Sequence, residues 1–145
     1  MKTYRETIDT DLAAGLVPEE SLEFDDLSSE VERIVAESGI REGTVSLFSE
    51  GATAAVTTIE YESGCLADLR RALDEIAPVD ATYEHNKKWG DGNGFSHLRS
   101  ALLDPSVTAP VVDGQPGFTT WQQPIVINLD NRERTRTVHV TATGE

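Results

Sequence analysis

The segment Arg134 to Thr143 alternates Val138, Val140 and Ala142 with Thr137, His139 and Thr141. Successive side chains of a strand point to opposite faces, so this parity demands a strand with one apolar and one polar face. His139 falls on the polar parity and is expected to face solvent. Two β-rich runs precede it, Val107 to Val112 and Pro124 to Asp130, set off by the turn-forming Asp113-Gly114 and Asp130-Asn131-Arg132. Near the N-terminus Tyr4 and Ile8 mark a strand-like start. Leu12 to Asp26, with Gly15, Pro18 and many acids, reads as a loop.

Helical spacing appears between these strands. Leu27, Val31, Ile34 and Val35 share one helical face, with Ser28 or Ser29 able to cap it and Gly39 placed to end it. Thr44 to Phe48 and Ala54 to Tyr61, bounded by Gly43 and Gly51, read as a strand pair. Leu66, Leu69, Ala72, Leu73 and Ile76 then give an amphipathic helix that Pro78 terminates, and a last short helix is expected from Ser96 through Leu103 before Pro105. The expected class is α+β, a single domain over residues 1–145 with mainly antiparallel pairing.

Charge narrows the partners. Twenty-six acidic residues against twelve basic ones give a formal net charge of -14, and the lysines are Lys2, Lys87 and Lys88 alone. Nucleic acids and anionic membranes are bound through clustered Lys and Arg, so neither is expected as a partner. An acidic, lysine-poor surface is instead expected of a halophilic protein, which must stay dissolved where salt screens charge. The single cysteine, Cys65, cannot form an internal disulfide and has no cationic neighbour in sequence, so the expected setting is cytoplasmic and no catalytic thiol is expected. No stretch approaches the roughly 18 apolar residues that span a bilayer.

The region from Pro78 to Phe95 loses all apolar periodicity and reads as an irregular, functional loop. It leads into Ser96 and His97, and the whole stretch holds Tyr83, Glu84, His85, Trp89, Asp91, Gly92, Asn93 and Gly94. Glycines in such a loop either turn backbone N–H groups toward an anion at a helix start or merely satisfy turn geometry, with Ser96 as a helix cap. His85 and His97 are the side chains able to act as acid, base or ligand near neutral pH, although their spacing matches no tight metal motif. Glu60 emerges where an uncharged strand ends. Trp121, Gln122 and Gln123, between two strands, could wall a pocket or an interface. Arg132, Arg134 and Arg136 are expected to form a surface ion-pair strip rather than a phosphate clamp.

Several stretches in matching order resemble the YjbQ-like family, also called the secondary thiamine-phosphate synthase enzyme family, and its archaeal branch in particular. They are Gly51 to Glu60, Tyr83-Glu84-His85, Asp91 to Arg99, Ser100 to Leu103, Pro110 to Gly114, Thr119 to Gln122 and the closing Gly144-Glu145. The resemblance covers nearly everything from Val31 onward. It implies a homotrimer with a pocket near a subunit boundary, drawing on Glu60, His85, Asp91, Asn93, Ser96, His97, Thr120, Trp121 and Gln122. It also implies a weak transferase activity that joins a pyrimidine diphosphate to a thiazole phosphate with loss of pyrophosphate. The common bacterial pattern has a histidine where Gly51 stands, so this chain offers two imidazoles there instead of three.

The expected function is therefore a pocket for a small phosphorylated metabolite. His97, His85 and Glu60 are the catalytic candidates; Asp91, Gly92, Asn93, Gly94, Ser96, Thr120, Trp121 and Gln122 are the substrate-binding ones. Magnesium or zinc is the cofactor candidate, with His85 and His97 as ligands and Asp91 or Glu60 as carboxylate. The rival expectations are a trimeric metabolite-binding protein without turnover and a metal-dependent hydrolase.

Overall fold

The computed structural model describes residues 1–15 and 23–145. Its first strand, β1 (Lys2–Leu12), buries Ile8 and Leu12, and a three-residue strand, β2 (Phe24–Asp26), follows. Residues 16–22 of the expected Leu12–Asp26 loop lie outside the described residues, and both of its ends are strand rather than loop. Helix α1 (Ser28–Ser38) fully buries Val31, Ile34 and Val35 and ends on Gly39 at φ 71°, as its spacing requires. Its start is not capped by Ser28 or Ser29. The Asp26 carboxylate does that work, accepting from the Ser28 backbone N–H at 2.9 Å and its hydroxyl at 2.6 Å.

Strands β3 (Gly43–Ser49) and β4 (Ala54–Ile59) come next, then α2 (Ser63–Ile76). The expected pair does not pair. Strand β3 lies in a five-stranded sheet and β4 in a separate three-stranded one, because the turn through Gly51, at φ 97°, sends the chain from one layer to the other. A six-residue helix, α3 (Glu84–Trp89), interrupts the expected loop and is too short to show a period in sequence. Helix α4 (Gly94–Leu103) begins two residues earlier than expected, with Asn93 at its N-cap position, so Ser96 is no cap. It is fully buried, and its hydroxyl has no hydrogen-bond partner among the described residues.

The rest is β: β5 (Ser106–Val112), β6 (Gln115–Pro116), β7 (Gln123–Asn128) and β8 (Arg134–Gly144). The sheet orders are β1-β8-β3-β5-β6 and β2-β7-β4, antiparallel at every described pairing. Asp113 and Gly114, at φ 52° and 78°, make the tight turn between β5 and β6. One core lies where α1 and the small sheet's Val56 and Val126 meet Val45, Leu47, Val138 and Val140 of the large sheet. A second joins Ala55, Ile125 and Ile127 on the small sheet's other face to Leu66 and Leu73 of α2. Arg99, 3% exposed, ties α4 to the end of α2 by donating from Nε to the Ala77 carbonyl at 3.0 Å and from Nη2 to Asp74 at 2.9 Å. Ser100 holds α4 against the start of β4, its hydroxyl donating to the Ala54 carbonyl at 2.5 Å.

Candidate functional site

His85, in the first turn of α3, and His97, in the first turn of α4, stack with ring centroids 4.4 Å apart at 57°. The sequence separates them by a loop, and the two helix starts bring them together. Both are half-buried. His85 Nε2 lies 3.3 Å from Asp91 Oδ1. Among the described residues neither ring nitrogen of His97 makes a hydrogen bond, so both are free for a ligand.

Asn93 sits between this pair and the strands. In one orientation its amide oxygen accepts from His85 Nε2 at 3.1 Å while its NH₂ donates to Asp130 Oδ1 at 3.4 Å. Turned over, the NH₂ donates to His85 Nε2 at 3.1 Å and to both oxygens of Asp91, at 3.1 and 3.3 Å. Each orientation goes with one state of His85. The first needs a proton on Nε2 and the second needs a lone pair there.

Behind Asn93 lies a group that sequence reasoning missed. Asp130, fully buried, accepts from Arg134 Nε at 2.9 Å, from the Thr53 hydroxyl at 3.1 Å and from the Asn131 backbone N–H at 2.8 Å. Burial pushes its carboxyl up. The Asn131 N–H and the Arg134 guanidinium outweigh that and hold it below the usual carboxylate value. Arg136, expected on a surface strip, is 6% exposed and bonds to Thr53 and Asn128. The parity of β8 explains this, since Arg134 and Arg136 share the face of Val138 and Val140. His139, on the other face, is half-exposed as expected and meets Glu50.

The expected loop donors are partly spent. Gly94 N–H donates to the Asn86 side chain at 2.9 Å, and the Asp91 carbonyl accepts from Asn131 at 3.0 Å. Gly94 is a glycine because Tyr83 presses on it: an added Cβ would lie 2.5 Å from Tyr83 Cβ. Gly92, at φ 70°, takes the left-handed turn that redirects the chain between α3 and α4.

Glu60, Thr120, Trp121 and Gln122 do not join the histidines within one chain. They lie beyond the far end of β4, a strand that spans about 17 Å at roughly 3.3 Å per residue. There Glu60, Tyr61, Trp121 and Thr120 line an open cleft of about 340 Å³ with Asp26 and Ser28, and Trp121 is 72% exposed. Gln122 spends its side-chain oxygen on Thr119.

A resident metal fits poorly. Among the described residues, the His, Cys, Asp and Glu ligand atoms that converge within 4.8 Å in a group of three are those of Glu60, Glu62 and Cys65, not those of the histidine pair. Glu62 is committed to capping α2, accepting from the N–H groups of Gly64 at 2.7 Å and Cys65 at 2.6 Å. Its hydrogen bond to the Cys65 thiol, with burial, pushes that thiol up to about 11, whereas coordination needs a thiolate. Asp91, with half its side chain exposed, could receive a magnesium ion carried in on a ligand phosphate.

Residues 15–145 match the model of the UPF0047 protein YjbQ-like family. The chain belongs to this family. Its YjbQ-like relatives include a UPF0047 protein of Methanothermobacter thermautotrophicus, 39% identical over 86% of this chain and 85% of that one. Another, from Archaeoglobus fulgidus, is 33% identical over 83% and 91% respectively. A solved YbjQ-like protein of unknown function from Sulfolobus solfataricus superposes with a TM-score of 0.90 at 29% identity, covering 99% of each chain. The YjbQ-like architecture described above is therefore shared by an experimental structure. No helix among the described residues is long and apolar enough to cross a membrane.

Proposed function

We propose that this YjbQ-like protein binds a small phosphorylated metabolite at the His85–His97 pair and carries a weak transferase activity of the thiamine-phosphate synthase type. The stacked imidazoles carry the reading: one is tied to Asp91 and Asn93, the other has both ring nitrogens free. In the reaction the thiazole ring nitrogen supplies the electron pair of the new C–N bond. The C–O bond to pyrophosphate breaks, and its electrons leave with the pyrophosphate. The contribution assigned to His97 is a hydrogen bond to the departing oxygen, and Asn93 and Asp91 hold His85 beside it. No metal-bound step is assigned.

The same reading makes the protein a homotrimer in which a neighbouring copy brings its Glu60–Trp121 cleft toward the histidines. The outer face of the large sheet supports this. Thr44, Ser46 and Phe48 of β3, Ser106, Thr108, Pro110 and Val112 of β5, and Thr137, His139, Thr141 and Thr143 of β8 include no acid, in a chain with 26 of them, and Asp9 and Asp11 of β1 stand at the edge of this face, accepting from Thr137 and Thr135. Such a face is suited to contact with a like face rather than to an acid-rich solvated surface. The acidic remainder we assign to high-salt adaptation in an archaeal protein.

A binding protein without turnover is the second reading. It is favoured by His97 having no hydrogen-bond partner to orient it among the described residues, since a general base is ordinarily held by a third group. Incubation with the pyrimidine diphosphate and thiazole phosphate, with and without magnesium, separates the two. Product from the wild type that disappears in His97→Ala supports transfer. A ligand-induced rise in melting temperature without product supports binding alone, and neither effect contradicts both.

A further inference from the structure

The histidine pair does not use the buried charge of Arg136. Arg136 is 6% exposed, yet its hydrogen bonds go only to neutral acceptors. Nε and Nη2 donate to the Asn128 amide oxygen at 3.2 and 2.7 Å, and Nη2 donates also to the Thr53 carbonyl at 2.9 Å and hydroxyl at 2.6 Å. The neighbouring acids are engaged elsewhere. Asp130 is held by Arg134 at 2.8 Å, and Glu50 lies 2.5 Å from His139. Asp130 is thus shared between Arg136 and Arg134, whose side chain is 37% exposed, so the three groups carry one net positive charge at the edge of the core, where an anion is favoured.

One nitrogen of that guanidinium is available. Nη1 makes no hydrogen bond among the described residues, and the space in front of it belongs to Gly51. Apart from its own chain neighbours, an ideal Cβ there would meet only Nη1 within 4 Å, at 3.0 Å. The missing side chain thus leaves an opening that leads from solvent to a fixed cationic donor. Gly51 is exposed, so the opening is reachable.

We infer that Arg136, reached past Gly51, is a binding site for a small oxyanion, the carboxylate or phosphate group of a ligand. Its fork is rigid, because Asn128 and Thr53 hold the other two nitrogens, so little side-chain freedom is lost on binding. The site sits at the far end of a chain of contacts running from Arg136 through Thr53, Asp130 and Asn93 to His85. It stands whether or not the histidine pair turns a substrate over.

Melting of the full chain in phosphate, acetate or chloride at matched ionic strength tests the site. Phosphate or acetate is expected to raise the wild-type melting temperature with saturation. Gly51→Ala, which puts a methyl group in front of Nη1, is expected to weaken that affinity about tenfold or more, the loss of one charge-assisted hydrogen bond. Arg136→Lys should weaken it comparably. No anion-specific rise in the wild type, or an undiminished rise in Gly51→Ala, would overturn the inference. Should either variant fail to fold, the Arg136 side-chain N–H NMR signals of the wild type decide: movement with added phosphate supports the site and constancy overturns it.

Discussion

Asp130→Asn is the perturbation that most directly probes the buried polar network. The substitution keeps the shape and removes the charge. It weakens the contacts of Arg134 at 2.8 and 2.9 Å, and the new amide cannot accept at both of its ends, where Thr53 and the Asn131 N–H donate. It also leaves the buried Arg136 with a second uncompensated cation beside it. Breaking a buried pair from one side costs about 3–5 kcal/mol, but Arg134 is 37% exposed and can recover solvation, which brings the expectation to about 2–4 kcal/mol. At about 2–4 °C per kcal/mol for a chain of this size, melting should fall by roughly 4–16 °C at neutral pH. The Asp130 carboxyl sits below its ordinary value in the folded protein. Its stabilisation is therefore complete above the unfolded value, about 3.9, and is lost as pH falls through the folded one. Urea unfolding of both proteins at pH 7 and at progressively lower pH should show the gap closing on the acid side. A loss under about 1 kcal/mol at pH 7, or a gap that does not change with pH, refutes the network as described.

Gly94→Ala should cost about 1–3 kcal/mol in urea unfolding, because the new methyl group meets Tyr83 Cβ and Cγ, and pairing it with Tyr83→Gly, which removes both atoms, should cost less than the two single losses added. Ser96→Ala removes a buried hydroxyl without a partner and is expected to be neutral or stabilising by up to about 1 kcal/mol, whereas a loss beyond that would show an unseen partner. Raising potassium chloride from about 0.1 to about 1 M shortens the screening length from about 10 to about 3 Å and should raise the melting temperature by several degrees. An unchanged or lower value would contradict high-salt adaptation.

Periodicity made most elements legible: the alternation in β8 and the spacing of Val31, Ile34 and Val35 translate into buried faces without further information. Sheet membership was not legible, because β3 and β4 carry similar runs and only the turn at Gly51 sends them to different layers. Helix α3 was hidden by its length. The histidine pair was suggested by composition, but its stacking depends on two helix starts meeting. Asp130 looked like a turn residue, since nothing local shows that it folds beneath Thr53 and Arg134. Arg136 was readable in principle: it has the parity of Val138 and Val140, and that parity outranks the solvent preference of arginine once Asn128 and Thr53 satisfy its donors. The separation of Glu60 and Trp121 from the histidines is a tertiary fact that their closeness in a motif pattern cannot convey.

The three histidines supply their own control for the central claim, because His85 and His97 form the pair while His139 lies on the outer face of the large sheet. Imidazole NMR signals followed during titration with the thiazole phosphate at constant pH should move for His85 and His97 and stay fixed for His139. Equal movement of all three, or none at the pair, would contradict a ligand site at the stacked histidines.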